Sequence, residues 1–258
     1  MAELIVVEQD GPLTVLTFDR PPLNLWAAEM SEAFGAALDE VEAQRPRGLL
    51  LRAQGRVFTG GVDVREFVGV DRPTGQALAR ELLRYAQRLA DLPCPTVFAA
   101  HALCLTWGFE LALACDLVLA AEGAAFALVE RVVGLSPFMG GPQRLALRVG
   151  PARAKEFVMT GDRYDAKMLC DWGVVNRVLP VEGFDEAARA FAMTLAEGPT
   201  MAHAMTKRLV DTACSAGEPA AAAITPELAG ALFETADANN AIASFLRDGP
   251  GRATYTGS

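Results

Sequence analysis

Short apolar runs alternating with stretches of helical periodicity constrain this chain more than any other feature. Residues 48–52 (GLLLR), 95–100 and 117–121 (LVLAA) are each preceded by a segment with apolar residues at helical spacing, at 26–42, 76–92 and 105–116 (LTWGFELALACD). Apolar runs of strand length, bounded by turn signals, read as strands buried on both faces. Parallel strands need long crossovers, usually helical, so this succession predicts an α/β core. Ahead of it, residues 3–9 and 13–18 flank Asp10-Gly11-Pro12, a hairpin signal. Beyond about Gly150 the pattern turns helical, at 152–160, 166–172, 184–197, 201–215, 226–235 and 239–247, with one strand-like insertion at 174–179.

Composition narrows the function. The net charge of −9 argues against a nucleic-acid face or an anionic membrane surface, since both select clustered Lys and Arg. The five cysteines include no close Cys-x-x-Cys pair, and several lie in apolar runs, which reads as reduced core thiols. The acidic, strand-like start resembles neither a signal nor a transit peptide, and no apolar run has the length of a membrane span. The expectation is a cytoplasmic protein that binds neither nucleic acid nor membrane.

The chain has no Walker-type phosphate loop, Gly-x-Gly-x-x-Gly, Gly-x-Ser-x-Gly or His-Glu-x-x-His, and its two histidines, His101 and His203, are far apart. Carboxylates therefore lead the candidates. Glu110 sits among Phe109, Leu111, Ala112 and Leu113, where an ionised group needs a partner or a task. Placed in the first turns of a helix starting near Thr106, it is open to two readings: a structural carboxylate favoured by the helix dipole, or a functional one with a shifted pKa. Glu130, in FALVERVVG, reads by itself as one solvated edge shared with Arg131, with a second acid as the alternative. In GRVFTGGVDVREF (55–67) the paired Gly60 and Gly61 permit positive φ and close backbone approach, so following N–H groups can point at a ligand oxygen; an ordinary turn is the alternative.

Taken together, DRPPLN (19–24), FTGGVDVREF (58–67), GFELALACDLVLAA (108–121), FALVERVVGLSP (126–137), GGPQRL (140–145) and GPGRATYTG (249–257) resemble, in order, the motifs of the enoyl-CoA hydratase/isomerase, or crotonase, family. The resemblance spans nearly the whole chain. It implies an α/β fold, a crotonase-like spiral of ββα units over 1–195 followed by a C-terminal helical trimerisation region over 196–258, assembled as a homotrimer or dimer of trimers. It also implies an acyl-CoA thioester as substrate, with no metal or other cofactor. Residue by residue, the oxyanion hole falls on the backbone N–H groups of Val62 and Trp107, and the catalytic pair on Glu110 and Glu130. The CoA path falls on Pro22, Leu23, Gly60, Val62, Asp63, Val64 and Arg65, with Arg247 or Arg252 as further phosphate contacts. The implied reaction is hydration of a 2-enoyl-CoA to a 3-hydroxyacyl-CoA. Isomerisation, hydrolysis, decarboxylation and a non-catalytic acyl-CoA scaffold are the alternatives.

The chain departs from the family pattern at defined points. His101-Ala102 stands where relatives usually have Asn-Gly, and Thr106-Trp107-Gly108 replaces a run of three glycines. Leu128-Val129 and Phe138-Met139 replace Gln-Pro and Gly-Ala. These changes predict a bulkier, more apolar acyl pocket, with Trp107 either in its wall or in the core.

Overall fold

The computed structural model describes residues 4–258. Strands β1 (Ile5–Asp10) and β2 (Leu13–Phe18) form the predicted antiparallel hairpin, with Ile5 opposite Phe18. Glu3, the first residue of the expected strand, lies outside the described residues. From β2 the six-stranded sheet runs β1-β2-β3-β4-β6-β9, with β3 (Gly48–Ala53), β4 (Thr96–Ala100), β6 (Leu117–Ala121) and β9 (Arg177–Leu179) joined in parallel. A second sheet pairs β5 (Cys104–Leu105), β7 (Ala125–Ala127) and β8 (Tyr164–Asp165).

Alternation along the central strands supplies two cores. Leu13, Val15, Leu50, Val97, Ala99, Leu119 and Ala121 face helix α7 (Phe184–Ala196), whose Ala188, Ala192 and Ala196 allow close approach. A Cβ on Gly48 would stand 2.8 Å from Ala196 Cβ. The other face, with Leu16, Phe18, Leu49, Leu51, Phe98 and Val118, packs against α1 (Ala28–Gln44), α2 (Arg72–Ala90) and α3 (Trp107–Ala114). Helix α2 starts where the Asp71 side chain accepts from Thr74 N (3.0 Å). All eight residues of α3 are buried, as expected of a helix apolar on every side.

Helices α4 (Gly141–Val149), α5 (Pro151–Thr160) and α6 (Ala166–Asp171) precede β9, and α8 (Thr200–Ala216), α9 (Glu218–Leu232) and α10 (Ala236–Asp248) follow α7. Several expectations need correction. The helix expected from 26 begins at Ala28, because Trp26 instead bridges in extended form to Val62. The strand expected over 174–179 is confined to Arg177–Leu179. The helix expected from Pro226 begins at Glu218 and carries Pro226 inside it, showing that a helix flanked by good formers can absorb one missing N–H. Cys94, Cys104 and Cys115 are buried, but Cys170 is half-buried and Cys214 exposed, so the core-thiol reading holds for three of the five. No helix among the described residues is long and apolar enough to cross a membrane.

The segment before α1 is pinned by Asn24, itself at φ 48° and 1 % exposed. Its Nδ2 donates to the carbonyls of Gln54 and Phe58, both at 2.9 Å, and its Oδ1 accepts from Arg20 N at 2.7 Å. Asn24→Ala would strand these buried backbone groups, and a destabilisation of about 1–3 kcal/mol is expected, read as a lowered urea midpoint with unchanged m.

Candidate active site

The loops leaving the C-terminal ends of the parallel strands converge on one side of the sheet, where open α/β sheets place their ligands. The loop after β3 carries Gly60 to Val64. The segment after β4 passes through β5 into α3, and the segment after β7 carries Glu130. With residues of α1, α2 and the turn before α4 they line a cavity of about 430 Å³. Val62, Trp107, Glu110 and Glu130 all line it, as do Gly60 and Val64.

Two of the lining residues carry backbone amides without an acceptor among the described residues. Trp26 N donates to Gly61 O (2.9 Å) and Asp63 N donates to Trp26 O (2.9 Å), so the intervening Val62 N–H points away from that pairing and has no acceptor among the described residues. Trp107 opens α3, and its N–H likewise has none among the described residues, as expected of a first-turn donor. The positive end of the helix dipole adds to its pull on negative charge.

Thr106, just before, adopts φ 46°, ψ −118°, an outlying conformation for a β-branched residue. Its N–H donates to Ala127 O (2.9 Å) and its carbonyl accepts from Glu110 N (3.0 Å), so the backbone is held on both sides. Its Oγ1 is buried without a partner among the described residues. Nothing in the sequence pattern flagged Thr106 beyond its replacement of a glycine.

Glu110 is 3 % exposed. Its Oε1 accepts from Met139 N (2.9 Å) and Gly141 N (2.8 Å), while Oε2 has no hydrogen bond among the described residues. Burial, and secondarily the charge of Glu130, push its pKa up to about 8 against the opposing effect of those two amides. The double glycine is part of this arrangement: a Cβ on Gly141 would stand 2.9 Å from both Glu110 Cγ and Oε1. Arg144 donates to Met139 O (2.9 Å), holding the loop that holds Glu110. The GGPQRL motif was visible in the sequence, but its task of gripping Glu110 was not.

Glu130 begins a 3-10 turn, Glu130–Val133, closed by Gly134 in the left-handed region. Its Oε2 is buried without a partner among the described residues, and burial raises its pKa to about 7. It is therefore not one edge of a solvated face. Two carboxyls with raised pKa values thus share one cavity with two acceptor-free amides, an arrangement able to stabilise an oxyanion and to exchange protons beside it.

Other expected site residues, Pro22, Leu23, Asp63 and Arg65, fall outside the cavity lining itself. Asp63 caps the 3-10 turn Val64–Phe67 by accepting from Arg65 N (3.1 Å), and Arg65 Nε returns to Asp63 Oδ1 (2.8 Å). That pairing holds the Asp63 carboxyl down at about 2. Leu23 O accepts from Gly60 N (2.8 Å), bracing the loop from behind. Arg247 pairs with the adjacent Asp248. His101 sits just past β4 with Nε2 3.0 Å from Gly55 O. Val129, Phe138 and Met139 line the cavity as expected, whereas Leu128 is fully buried behind it. The Trp107 side chain goes to the core, 2 % exposed and packed edge-on to Phe18 at 4.8 Å between ring centroids.

A family model described as Enoyl-CoA hydratase/isomerase matches residues 8–251. A protein named "probable enoyl-CoA hydratase" from Rhizobium meliloti (strain 1021) is 30% identical over 246 residues, 95% of each chain. Carnitinyl-CoA dehydratase from Salmonella heidelberg (strain SL476) is 33% identical over 211 residues, 81% of this chain and 80% of its own. The crystal structure of enoyl-CoA hydratase from Bacillus anthracis superposes with a TM-score of 0.90 at 25% identity, covering 99% of this chain and 100% of that one. The chain belongs to the enoyl-CoA hydratase/isomerase family and has the crotonase fold.

The raised pKa of Glu110 has a stability consequence. Below about 4.5 the group is protonated both folded and unfolded; between there and about 8 only the unfolded chain loses the proton. Wild-type stability should therefore fall relative to Glu110→Gln as pH rises through that interval, by up to about 1.4 kcal/mol per pH unit, and then level off. Gln retains an acceptor for Met139 N and Gly141 N, so paired urea titrations at pH 5, 7 and 9 isolate the charge.

Proposed function

We propose that the protein is an acyl-CoA-processing enzyme that adds water across the double bond of a 2-enoyl-CoA to give a 3-hydroxyacyl-CoA. The observation that carries this reading is the pair of raised-pKa carboxyls, Glu110 and Glu130, on one cavity beside the acceptor-free Val62 and Trp107 amides. Family membership supplies the acyl-CoA class.

In this mechanism the two N–H groups hold the thioester oxygen and stabilise the charge that collects there as the enolate forms. One such donor is typically worth about 3–4 kcal/mol. Glu110 is anchored through Oε1, leaving Oε2 to orient a water at the β-carbon and take one of its protons as the C–O bond forms. Glu130 gives its proton to the α-carbon. The reactive form is the singly protonated pair with its proton on Glu130, one of the two arrangements of a proton shared by coupled carboxyls; after one proton is accepted and one delivered, exchange from Glu110 back to Glu130 restores it. Water loss from the 3-hydroxyacyl-CoA uses the same groups in the opposite roles.

We assign the remaining CoA contacts to the cavity mouth. Gly60 and Val64 line it, and Pro22, Leu23, Asp63 and Arg65 flank the same loop, where the Arg65 guanidinium is exposed to meet a phosphate. No metal or redox cofactor takes part in the proposed reaction.

Hydration and its reversal both need one acid and one base. With both pKa values pushed toward neutrality, activity should follow a bell-shaped pH profile whose two limbs belong to the pair. Glu110→Gln and Glu130→Gln should each lower kcat about 10²–10⁴-fold with little change in KM. Loss of the conjugated thioester's ultraviolet absorbance on adding crotonyl-CoA, with product mass showing a gain of one water, is the test. Unchanged turnover in either variant, or a product of unaltered or cleaved mass, would overturn the reading.

We further propose a homotrimer or dimer of trimers built through the region 196–258. Met201, Phe233, Ile242, Phe245 and Leu246 are each about half exposed or more in the single chain, an apolar surface suited to burial between copies. Light scattering should give a mass of three or six chains, and Phe245→Asp with Leu246→Asp should lower it.

A further inference from the structure

We infer that Trp107 is a positioning residue for both oxyanion donors: its backbone supplies one N–H, and its indole fixes the direction of the other by holding the far end of the same peptide. This rests on the proposed role of the Val62 and Trp107 amides.

The Gly61–Val62 peptide unit carries the Gly61 carbonyl at one end and the Val62 N–H at the other. A trans peptide is planar and its C=O and N–H point in opposite directions, so whatever fixes one aims the other. The Gly61 carbonyl accepts from Trp26 N at 2.9 Å and from Trp107 Nε1 at 3.0 Å, two donors for its two lone pairs; the Thr59 hydroxyl, 3.4 Å away, donates instead to Asn24 O at 2.8 Å. The Val62 N–H at the opposite end has no acceptor among the described residues, on a residue that lines the cavity.

The indole itself has little freedom. It is packed against Phe18, Trp26 and Phe58, with centroid separations of 4.8, 5.2 and 6.0 Å. The neighbouring backbone is equally constrained. A Cβ on Gly108 would stand 2.6 Å from Thr59 Cγ2, and Gly61 holds φ 108°. Gly61 N donates to Thr59 Oγ1 at 2.9 Å, so the peptides on both sides of Gly61 are tied down. A hydrogen bond accepted at a carbonyl also polarises the peptide and strengthens its N–H as a donor.

Glu110 lies on the same short helix, so displacement of Trp107 would disturb the base as well as the donors. A variant must therefore remove the indole N–H without altering the ring's shape. Replacement of Trp107 by 3-benzothienylalanine does so, and Trp107→Phe is the simpler companion. The probes are crotonyl-CoA for turnover and butyryl-CoA, labelled with ¹³C at the thioester carbonyl, for the infrared stretch of a bound thioester that cannot be hydrated.

Loss of a whole oxyanion donor costs about 10²–10³-fold; loosening one should cost a part of that, about tenfold in kcat. KM and Tm should be nearly unchanged, the two pH limbs should stay in place, and the bound carbonyl stretch should move back toward its free-solution frequency. A folded benzothienyl variant with wild-type kcat and wild-type carbonyl frequency would overturn the inference. A change confined to KM or Tm with the carbonyl frequency unmoved would also overturn it, as packing alone. A wild-type protein that binds butyryl-CoA without shifting its carbonyl would remove the oxyanion reading itself, and the inference with it.

Discussion

Glu110 occupies a place almost sealed from water, held there by two amide N–H groups from the turn into α4, and much of the surrounding structure serves that arrangement. An isolated carboxylate in such surroundings would be untenable. With one oxygen fixed by Met139 N and Gly141 N, the group is ordered without being fully neutralised, and its pKa stays high. The glycine at 141 admits the carboxylate, Arg144 holds the turn, and the short helix α3 delivers the side chain to the cavity.

The same helix joins the acid to the amides. Its first N–H is Trp107, Glu110 follows almost one turn on, and its indole reaches back to the loop bearing Val62. Thr106 accepts an unfavourable backbone conformation between two hydrogen bonds, which is tolerable only where neighbouring structure over-determines the geometry. Several loops of different chain origin are thus locked into one relative placement, and a parallel sheet does this by bringing its strand ends to a common edge.

Much of the frame was legible from residue pattern. The apolar runs at 48–52 and 117–121 read as buried strands because β3 and β6 are covered on both faces, which removes the polar alternation of an edge strand. The hairpin was marked by Asp10-Gly11-Pro12. Short pieces such as β5, β7 and β8 leave no such mark, since strands of two or three residues have no measurable period. Pro226 misled in the opposite sense: local propensity marks it as a boundary, whereas the packed helix hairpin of α8 and α9 carries the chain through it.

By itself the sequence determined most of the succession of strands and helices and the presence of two candidate acids among apolar neighbours, because periodicity and composition are local quantities; the family followed from the likeness of its ordered motifs. Only the tertiary structure decided that both acids border one cavity, that Met139 and Gly141 grip the first, and that the Trp107 ring lies in the core with its N–H on Gly61. Those relations join residues far apart along the chain, and their energies depend on burial and direction, which no linear spacing encodes.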